Sequence, residues 1–433
     1  MEIKVSVILP SLNVKDYIEE AVRSVMEQTL KEIEILCIDA GSEDGTWEIL
    51  SRLAETDDRI VLCHSDVKSY GYQVNMGIDM ANGRYIAILE TDDYADAPMY
   101  ERLYEQAVLK DCDYVKSDYY LYRTEKNGKR TFLRRYSFQT QDLYDKIIKP
   151  VKYAAVAVGD WYLWNGLYKK QFLMENNIRL SETPGAAYQD IGFILQTTIF
   201  ATKALYLKEA HYRYCTDREG ASANSGKGLQ YAYQEFSAFY YLTENAEEDV
   251  IRAFYCRMAK SFIYCFDDMQ EESGIDSEKR SKYNMWFQQR LKDACIRNRI
   301  DRSVFQTGIW KKLEDLLISE TYYLEKCRAH IQKMQEVLGE AGKSPVLIFG
   351  CGHYGYEAYK WLQKHAYHAA AFIDNNRLLW GTNVQDLPVL SPEQGRVRYP
   401  VAKYLIANEM HAGAMKRQLL EMGVSDGDIC VYV

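Results

Sequence analysis

The run Tyr85-Ile86-Ala87-Ile88-Leu89-Glu90-Thr91-Asp92-Asp93-Tyr94 decides how this chain is read. Its apolar half has strand length and no alternation, which suits a strand buried on both faces of a parallel sheet. Three carboxylates follow within four residues. They would stand at the carboxyl end of the strand, in the crevice where open α/β sheets bind ligands. Adjacent Asp92 and Asp93 repel unless a cation or a donor lies between them. Hard cations, Mg2+ or Mn2+, take oxygen ligands of this kind and bind diphosphates at the same time. An acidic helix N-cap is the other reading of the same residues.

The segments before this run supply the rest of a nucleotide-binding pattern. Residues 5–9 are a β-branched apolar strand closed by Pro10, with Ser11 and Asn13 in the loop after it. Residues 16–27 have helical periodicity. A second strand, 33–38, ends in Asp39-Ala40-Gly41-Ser42-Glu43-Asp44-Gly45, where small residues let backbone approach a ligand closely. A helix over 46–54, a strand over 60–64 and a short helix over 75–81 lead to the opening strand. The sum is β-α-β-α-β-α-β, with each loop at the same edge of the sheet.

Three motifs carry a resemblance: Val5-Ser6-Val7-Ile8-Leu9-Pro10-Ser11-Leu12-Asn13, Ile38-Asp39-Ala40-Gly41-Ser42-Glu43-Asp44-Gly45-Thr46 and Glu90-Thr91-Asp92-Asp93. In this order and spacing the chain resembles a family 2 glycosyltransferase with the GT-A fold, over about its first half. The resemblance implies inverting transfer of a sugar from a nucleoside-diphosphate sugar, a UDP-sugar above others, with Mg2+ or Mn2+ bridging the diphosphate. It places Pro10, Ser11, Leu12 and Asn13 in the first nucleotide loop. Asp39, with Gly41 beside it, would accept from the base. Asp92 would lie near the ribose, and Asp93 would ligate the metal.

The chain departs from the family pattern at three points. Val74 stands where relatives often carry Arg, and Lys68 would supply the missing charge near the phosphates. In Trp161-Tyr162-Leu163-Trp164-Asn165-Gly166-Leu167-Tyr168, Gly166 replaces the usual Lys. Trp164 and Asn165 are expected on the floor of the acceptor site, although aromatic residues bury large area wherever they sit. In Tyr188-Gln189-Asp190-Ile191, Gln189 replaces the first acid of a pair and Asp190 keeps the second. The family position makes Asp190 the candidate general base, since a positioned carboxylate can take the acceptor's proton as the bond forms. Asp190 would also cap the helix after it. Glu182 and His211 are the next candidates. The polar stretch 216–225 reads as a loop, and His211, Arg213 and Ser222 would reach a diphosphate from it.

Composition bounds the remaining classes. The chain has 433 residues, net charge −9, 36 tyrosines and ten cysteines with no C-x-x-C pair. The charge argues against a non-specific nucleic-acid surface. The cysteines read as reduced thiols, and no run is long and apolar enough to span a membrane. Met1-Glu2-Ile3-Lys4 lacks the form of a signal peptide. A cytoplasmic protein, at most peripheral to the inner face of a membrane and acting on a glycan or lipid-linked acceptor, is the expectation.

Three parts are expected: a GT-A domain over 1–229, a helical region over 230–341 and a small Rossmann-like domain over 342–433. The last begins with a strand and Gly350-Cys351-Gly352-His353-Tyr354-Gly355, followed by Asp374 about twenty residues on. Gly350, Gly352, Gly355 and Asp374 are thus candidates for a bound dinucleotide. The glycines would equally serve a tight strand-to-helix turn. A nucleotide-dependent oxidoreductase built on this motif, and a non-catalytic sugar-nucleotide-binding protein, are the two alternatives.

Overall fold

The structure, a computed structural model, describes residues 2–124, 128–138, 141–216, 218, 227–266, 276–409 and 411–432. Ser222, most of the 216–225 loop and part of the helical region over 230–341 lie outside the described residues.

The first sheet contains β1 (Val5–Ser11), β2 (Ile33–Asp39), β3 (Ile60–His64), β4 (Tyr85–Ile88), β5 (Tyr94–Ala95), β6 (Tyr114–Thr124), β7 (Arg130–Arg135), β8 (Ile147–Ile148), β9 (Gly166–Lys169) and β10 (Ala204–Cys215). Its order is β3-β2-β1-β4-β9-β6-β10-β5, with β7 on β6 and β8 on β10. The first four strands are parallel, and β1 is paired on both sides, to β2 and β4. Every residue of β1, β2 and β4 is buried, as continuous apolar runs require. Alternation divides the strand between two cores. Val5, Val7 and Leu9 face the helices Ile18–Met26, Thr46–Ala54 and Met99–Leu109, while Ile8 faces Tyr70–Met80 and Asp190–Phe200.

Three local features shape this unit. Residues 205–214 form one strand, β10, which keeps its pairing with β6 through register shifts around Ala210. A short 3-10 turn, Gln141–Leu143, is followed by β8, where the β-branched pair Ile147-Ile148 meets β10. The helix expected to start at Asn75 starts at Tyr70, because Ser69 Oγ caps it by accepting from the Tyr72 amide.

The chain divides into two compact units, residues up to 124 with 130–313, and the region from 314 onward. The helical stretch is shared between them. Helices Gly228–Ala238, Glu248–Tyr264 and Ser277–Ile296 pack within the first unit, and Glu320–Leu338 packs within the second. No disulfide joins any of the ten cysteines. Among the described residues no helix is long and apolar enough to cross a membrane.

The second unit holds β11 (Val346–Phe349), β12 (Ala369–Ile373), β13 (Asn383–Val384), β14 (Leu387–Leu390), β15 (Lys403–Ile406) and β16 (Ile429–Val431). Their order is β13-β14-β12-β11-β15-β16, parallel except at β13–β14. Gly350 has φ +114°, a conformation that suits glycine. A Cβ on Gly355 would overlap the Gly350 carbonyl oxygen. Asp374 Oδ2 accepts from the Cys351 amide at 2.9 Å and Oδ1 from Asn376 at 2.8 Å. The acid thus braces the glycine turn itself. Gly355→Ala should therefore lower stability by about 1–3 kcal/mol through overpacking, read as a lower melting temperature; an unchanged temperature would mean the turn relaxes at no cost.

Candidate active site

The carboxyl ends of β1, β2 and β4 converge on one crevice. Asp39, fully buried, closes β2 and holds the loops on both sides of it. Its Oδ1 accepts from Ser11 Oγ (3.1 Å) and Ser42 Oγ (2.5 Å), and its Oδ2 from the amides of Gly41 (3.0 Å) and Ser42 (2.8 Å). Asn13 has φ +53° and is laced to the same loop, its amide to Ser42 Oγ and its Oδ1 to the Glu43 amide. Leu12 and Gly41 line these turns, and the Pro10 carbonyl accepts from Thr91 Oγ1 at 3.1 Å. Buried Gln73 donates to the carbonyls of Ser11 and Ile38, tying β1 to β2.

The three carboxylates after β4 have different surroundings. Asp93 is 2% exposed. Tyr212 Oη donates to its Oδ2 at 2.8 Å and the Cys215 amide to its Oδ1 at 2.7 Å. Burial, then the charge of Asp92, raises its pKa well above the usual carboxylate range. Each oxygen of Asp93 thus accepts from one protein donor and keeps a second lone pair. Asp92 is partly exposed and pairs with Arg218 at 2.7 Å. Glu90 accepts from Tyr70 Oη at 2.6 Å, and burial followed by the charge of Asp92 pushes it up to about 8.

Asp190 is the first residue of the helix Asp190–Phe200, with Gln189 at the cap position. The Gln189 side chain bonds Thr183, Gly185 and Ala187 and so shapes the turn before it. Burial raises the Asp190 pKa, opposed by Arg257. The charge of Asp190 in turn acts on Tyr70 and Glu90, so base candidate and acidic turn share one electrostatic neighbourhood. Glu182 is exposed and accepts from Asn75 Nδ2 at 3.0 Å.

Other candidates are placed elsewhere. Lys68 is exposed; only its backbone is fixed, through the Gly185 amide. Val74 lies in the apolar core with Ile8, Ile38 and Ile78, so its position carries packing and no charge. His211 pairs with Glu209 at 3.0 Å, and Arg213 is bidentate to Asp96 and stacks on Tyr120. Trp164 is buried between Tyr162 and Tyr212, with ring centroids 4.5 and 4.0 Å away. Buried Asn165 donates to the Ser117 carbonyl at 2.8 Å. These two therefore belong to the core, where the sequence suggested an acceptor floor. Gly166 has a steric reason: a Cβ there would overlap the Val115 carbonyl oxygen and come within 2.6 Å of Lys116 Cγ.

Residues 6–162 match the sequence profile described as glycosyl transferase family 2. This chain carries a family 2 glycosyltransferase domain. The "Uncharacterized glycosyltransferase EpsJ" of Bacillus subtilis (strain 168) is 27% identical over 332 residues, which is 75% of this chain and 92% of that protein. The "Glycosyltransferase GlyG" of Streptococcus pneumoniae serotype 4 is 29% identical over 219 residues, 48% of this chain and 70% of that protein. Over 91 residues, 21% of this chain, it is 40% identical to the "UDP-Glc:alpha-D-GlcNAc-diphosphoundecaprenol beta-1,3-glucosyltransferase WfaP" of Escherichia coli, of which it spans 36%. Among solved structures, S. aureus TarS 1-349 in complex with UDP-GlcNAc superposes with a TM-score of 0.53 at 17% identity, covering 77% of this chain and 90% of that one. Fold and family agree, and the glycosyltransferase has the GT-A architecture.

Three cations of the first unit are missing from the sequence reading. Arg218 is hidden in a stretch that reads only as a polar loop. Lys116 sits in a tyrosine-rich strand, bonded to Asp160 at 2.6 Å. Arg257 had a signal: it falls in register with Ala253, Phe254, Ser261 and Phe262, on the face the helix buries.

Glu235, on the helix Gly228–Ala238, is buried and braces the start of the Asp190 helix. It accepts from Ser181 Oγ at 2.5 Å and the Gly192 amide at 3.3 Å. Burial pushes it up to about 7. A carboxyl group with a raised folded pKa binds more protons when folded. It costs stability progressively as pH rises from its unfolded value near 4.5 through about 7. Glu235→Gln should therefore reduce the loss of melting temperature between pH 5 and pH 8. An equal loss in variant and wild type would remove Glu235 from the pH dependence.

Proposed function

We propose that this glycosyltransferase transfers a sugar, with inversion, from a UDP-sugar to a hydroxyl group of a glycan or lipid-linked acceptor, in the synthesis of cell-surface polysaccharide. The observation that carries the reading is the shared neighbourhood of Asp190 with Glu90, which Asp92 also acts on, while Arg218 pairs with Asp92. The UDP-GlcNAc bound to TarS and the UDP-Glc in the name of WfaP support the nucleotide. The diphosphoundecaprenol in that name supports a lipid-linked acceptor.

In this reading the acceptor oxygen attacks the anomeric carbon as its proton passes to an Asp190 oxygen. The bond from that carbon to the diphosphate breaks on the opposite side. Arg218 turns its guanidinium from Asp92 to the departing diphosphate, whose charge it offsets. A divalent cation fits the chemistry of the turn after β4, where Asp92 and Asp93 are adjacent carboxylates and Asp92 is partly exposed. Asp92 and Asp93 are the residues that would hold it. Among the described residues no cluster of three or more ligating side chains exists. One or two carboxylates with diphosphate oxygens are a usual donor set for Mg2+ in such sites. Bound there, the cation would supply Lewis-acid stabilisation of the diphosphate. The loops around Ser11, Asn13 and Asp39 would receive the nucleoside. The glycine turn of the second unit serves its own strand-to-helix junction.

Two outcomes are expected. Asp92→Asn should abolish Mn2+-dependent tightening of UDP in calorimetry, and an unchanged affinity would return the metal to another residue. Asp190→Asn should leave UDP affinity intact and lower sugar transfer or donor hydrolysis by roughly 10²–10⁴-fold, the usual value of a positioned proton transfer. Turnover near the wild-type rate would move the base elsewhere.

A further inference from the structure

Two aromatic rings of the first unit are held in place and yet open to solvent. Trp161 and Tyr264 meet edge to face, with ring centroids 5.1 Å apart. Trp161 is partly exposed, and Tyr264 is 46% exposed. Lys260 Nζ lies 4.7 Å from the Tyr264 centroid. Behind Trp161 stands Arg257, 1% exposed, its guanidinium 4.8 Å from the ring centroid. Arg257 Nη1 donates to the carbonyl oxygens of Ala157 and Asp160, while Nε and Nη2 have no hydrogen-bond partner among the described residues. A buried guanidinium with unmade bonds costs stability, and an apolar side chain would fill the same space without that cost. What the arginine holds is the backbone just before Trp161 and the tilt of its ring.

The strand that follows puts this pair beside the crevice. β9 runs antiparallel to β4, pairing Tyr85 with Lys169 and Ile86 with Tyr168. Residues 161–165, which enter β9, therefore lie at the carboxyl end of β4, the edge that carries the acidic turn. Tyr162 stacks on Trp164 at 4.5 Å, and Trp164 on Tyr212, whose hydroxyl bonds Asp93. Tyr264 is joined to the other wall through its neighbour: a Cβ at Gly228 would stand 3.9 Å from Cys265 Sγ and 2.8 Å from Tyr188 Oη. Tyr188 has φ +65°, strained for so large a residue, and its carbonyl accepts from the Ile191 amide in the turn that presents Asp190. The nucleoside loops follow β1 and β2, on one side of β4 in the sheet order, and β9 is on the other.

We propose that Trp161 and Tyr264 form the acceptor platform of the transfer reaction, stacking on the apolar face of the acceptor's terminal pyranose. This rests on the function proposed above, transfer to a glycan acceptor. A pyranose has a face of C–H groups and a rim of hydroxyls. An aromatic ring fixed at the edge of the solvent covers the face and leaves the rim hydrated. Because both rings are already ordered, little side-chain entropy is lost when a sugar binds. The platform therefore selects the acceptor, while the loops on the far side of β4 select the donor.

The test uses the full chain carrying fluorotryptophan, with the Trp161 fluorine NMR signal assigned by its loss in Trp161→Phe. Octyl glycosides of glucose, galactose and N-acetylglucosamine are titrated in with UDP and Mn2+ present, and an octyl chain on ethylene glycol, without sugar, is the control. At least one glycoside should move the Trp161 signal to saturation, and the control should not. Tyr264→Ala should weaken that binding about tenfold, the worth of one stacked aromatic contact. Tyr264→Phe should keep it, because the ring is used and the hydroxyl is not. UDP affinity should match wild type in both variants. A signal that no glycoside moves, that the sugar-free chain moves equally, or that responds unchanged in Tyr264→Ala overturns the proposal. If Tyr264→Ala does not fold, the wild-type titration decides: a response to a glycoside and not to the control upholds the platform, and any other result overturns it. A wild-type chain that fails to bind UDP with Mn2+ sinks the UDP-sugar reading instead, whatever the glycosides do.

Discussion

Tyr212 is the hinge on which the site geometry turns. Its hydroxyl accepts from the Glu90 amide at 3.1 Å and donates to Asp93 at 2.8 Å, so one phenol fixes both ends of the acidic turn. Its ring is held flat against Trp164, centroid to centroid 4.0 Å. The position of Asp92 follows: with Glu90 and Asp93 pinned from behind, the carboxylate between them is the one left to face the crevice and Arg218. The cost of burying Asp93 is met by two donors and by holding its pKa high, so the turn can carry three acids without pushing itself apart.

That constraint explains why aromatic residues are so abundant between β6 and β10. Tyr162, Trp164, Tyr212 and Tyr214 make one stacked layer beneath the turn. Rings of this kind lose little side-chain entropy for the area they bury, so they fix a loop that has few backbone bonds of its own. Gly166 belongs to the same economy of space. Lys116 crosses from β6 over the position where a side chain at 166 would stand, and so a buried ammonium reaches Asp160 from the neighbouring strand.

The parallel half of the sheet was legible because its strands are buried on both faces and therefore read as unbroken apolar runs. β1, β2 and β4 fall where those runs predict. The acidic turn was legible as a group, but the division of labour inside it was not. Asp92 and Asp93 are identical in sequence terms, and only the partners on β10 and just after it, over a hundred residues away, separate them. Trp164 and Asn165 failed for the opposite reason: a motif near a site was read as lining it, whereas its side chains point into the core. Asp190 stood out by family position alone, since an acid at the start of a helix is common.

The helices after residue 228 carry no catalytic spacing, and their sequence reads as packing. Their charged inward positions change that view. Glu235 reaches the first turn of the Asp190 helix, and Arg257 reaches the carbonyls around Asp160. Both are buried polar groups that an apolar residue could replace with gain in stability. Groups of that kind persist in a folded chain where they set the charge or direction of something else. Glu235 acts at the N-terminus of the Asp190 helix, and Arg257 acts on the turn around Asp160. A GT-A domain cut before the helical segment would therefore lack both the Glu235 brace on the Asp190 helix and the Arg257 bonds to the carbonyls of Ala157 and Asp160.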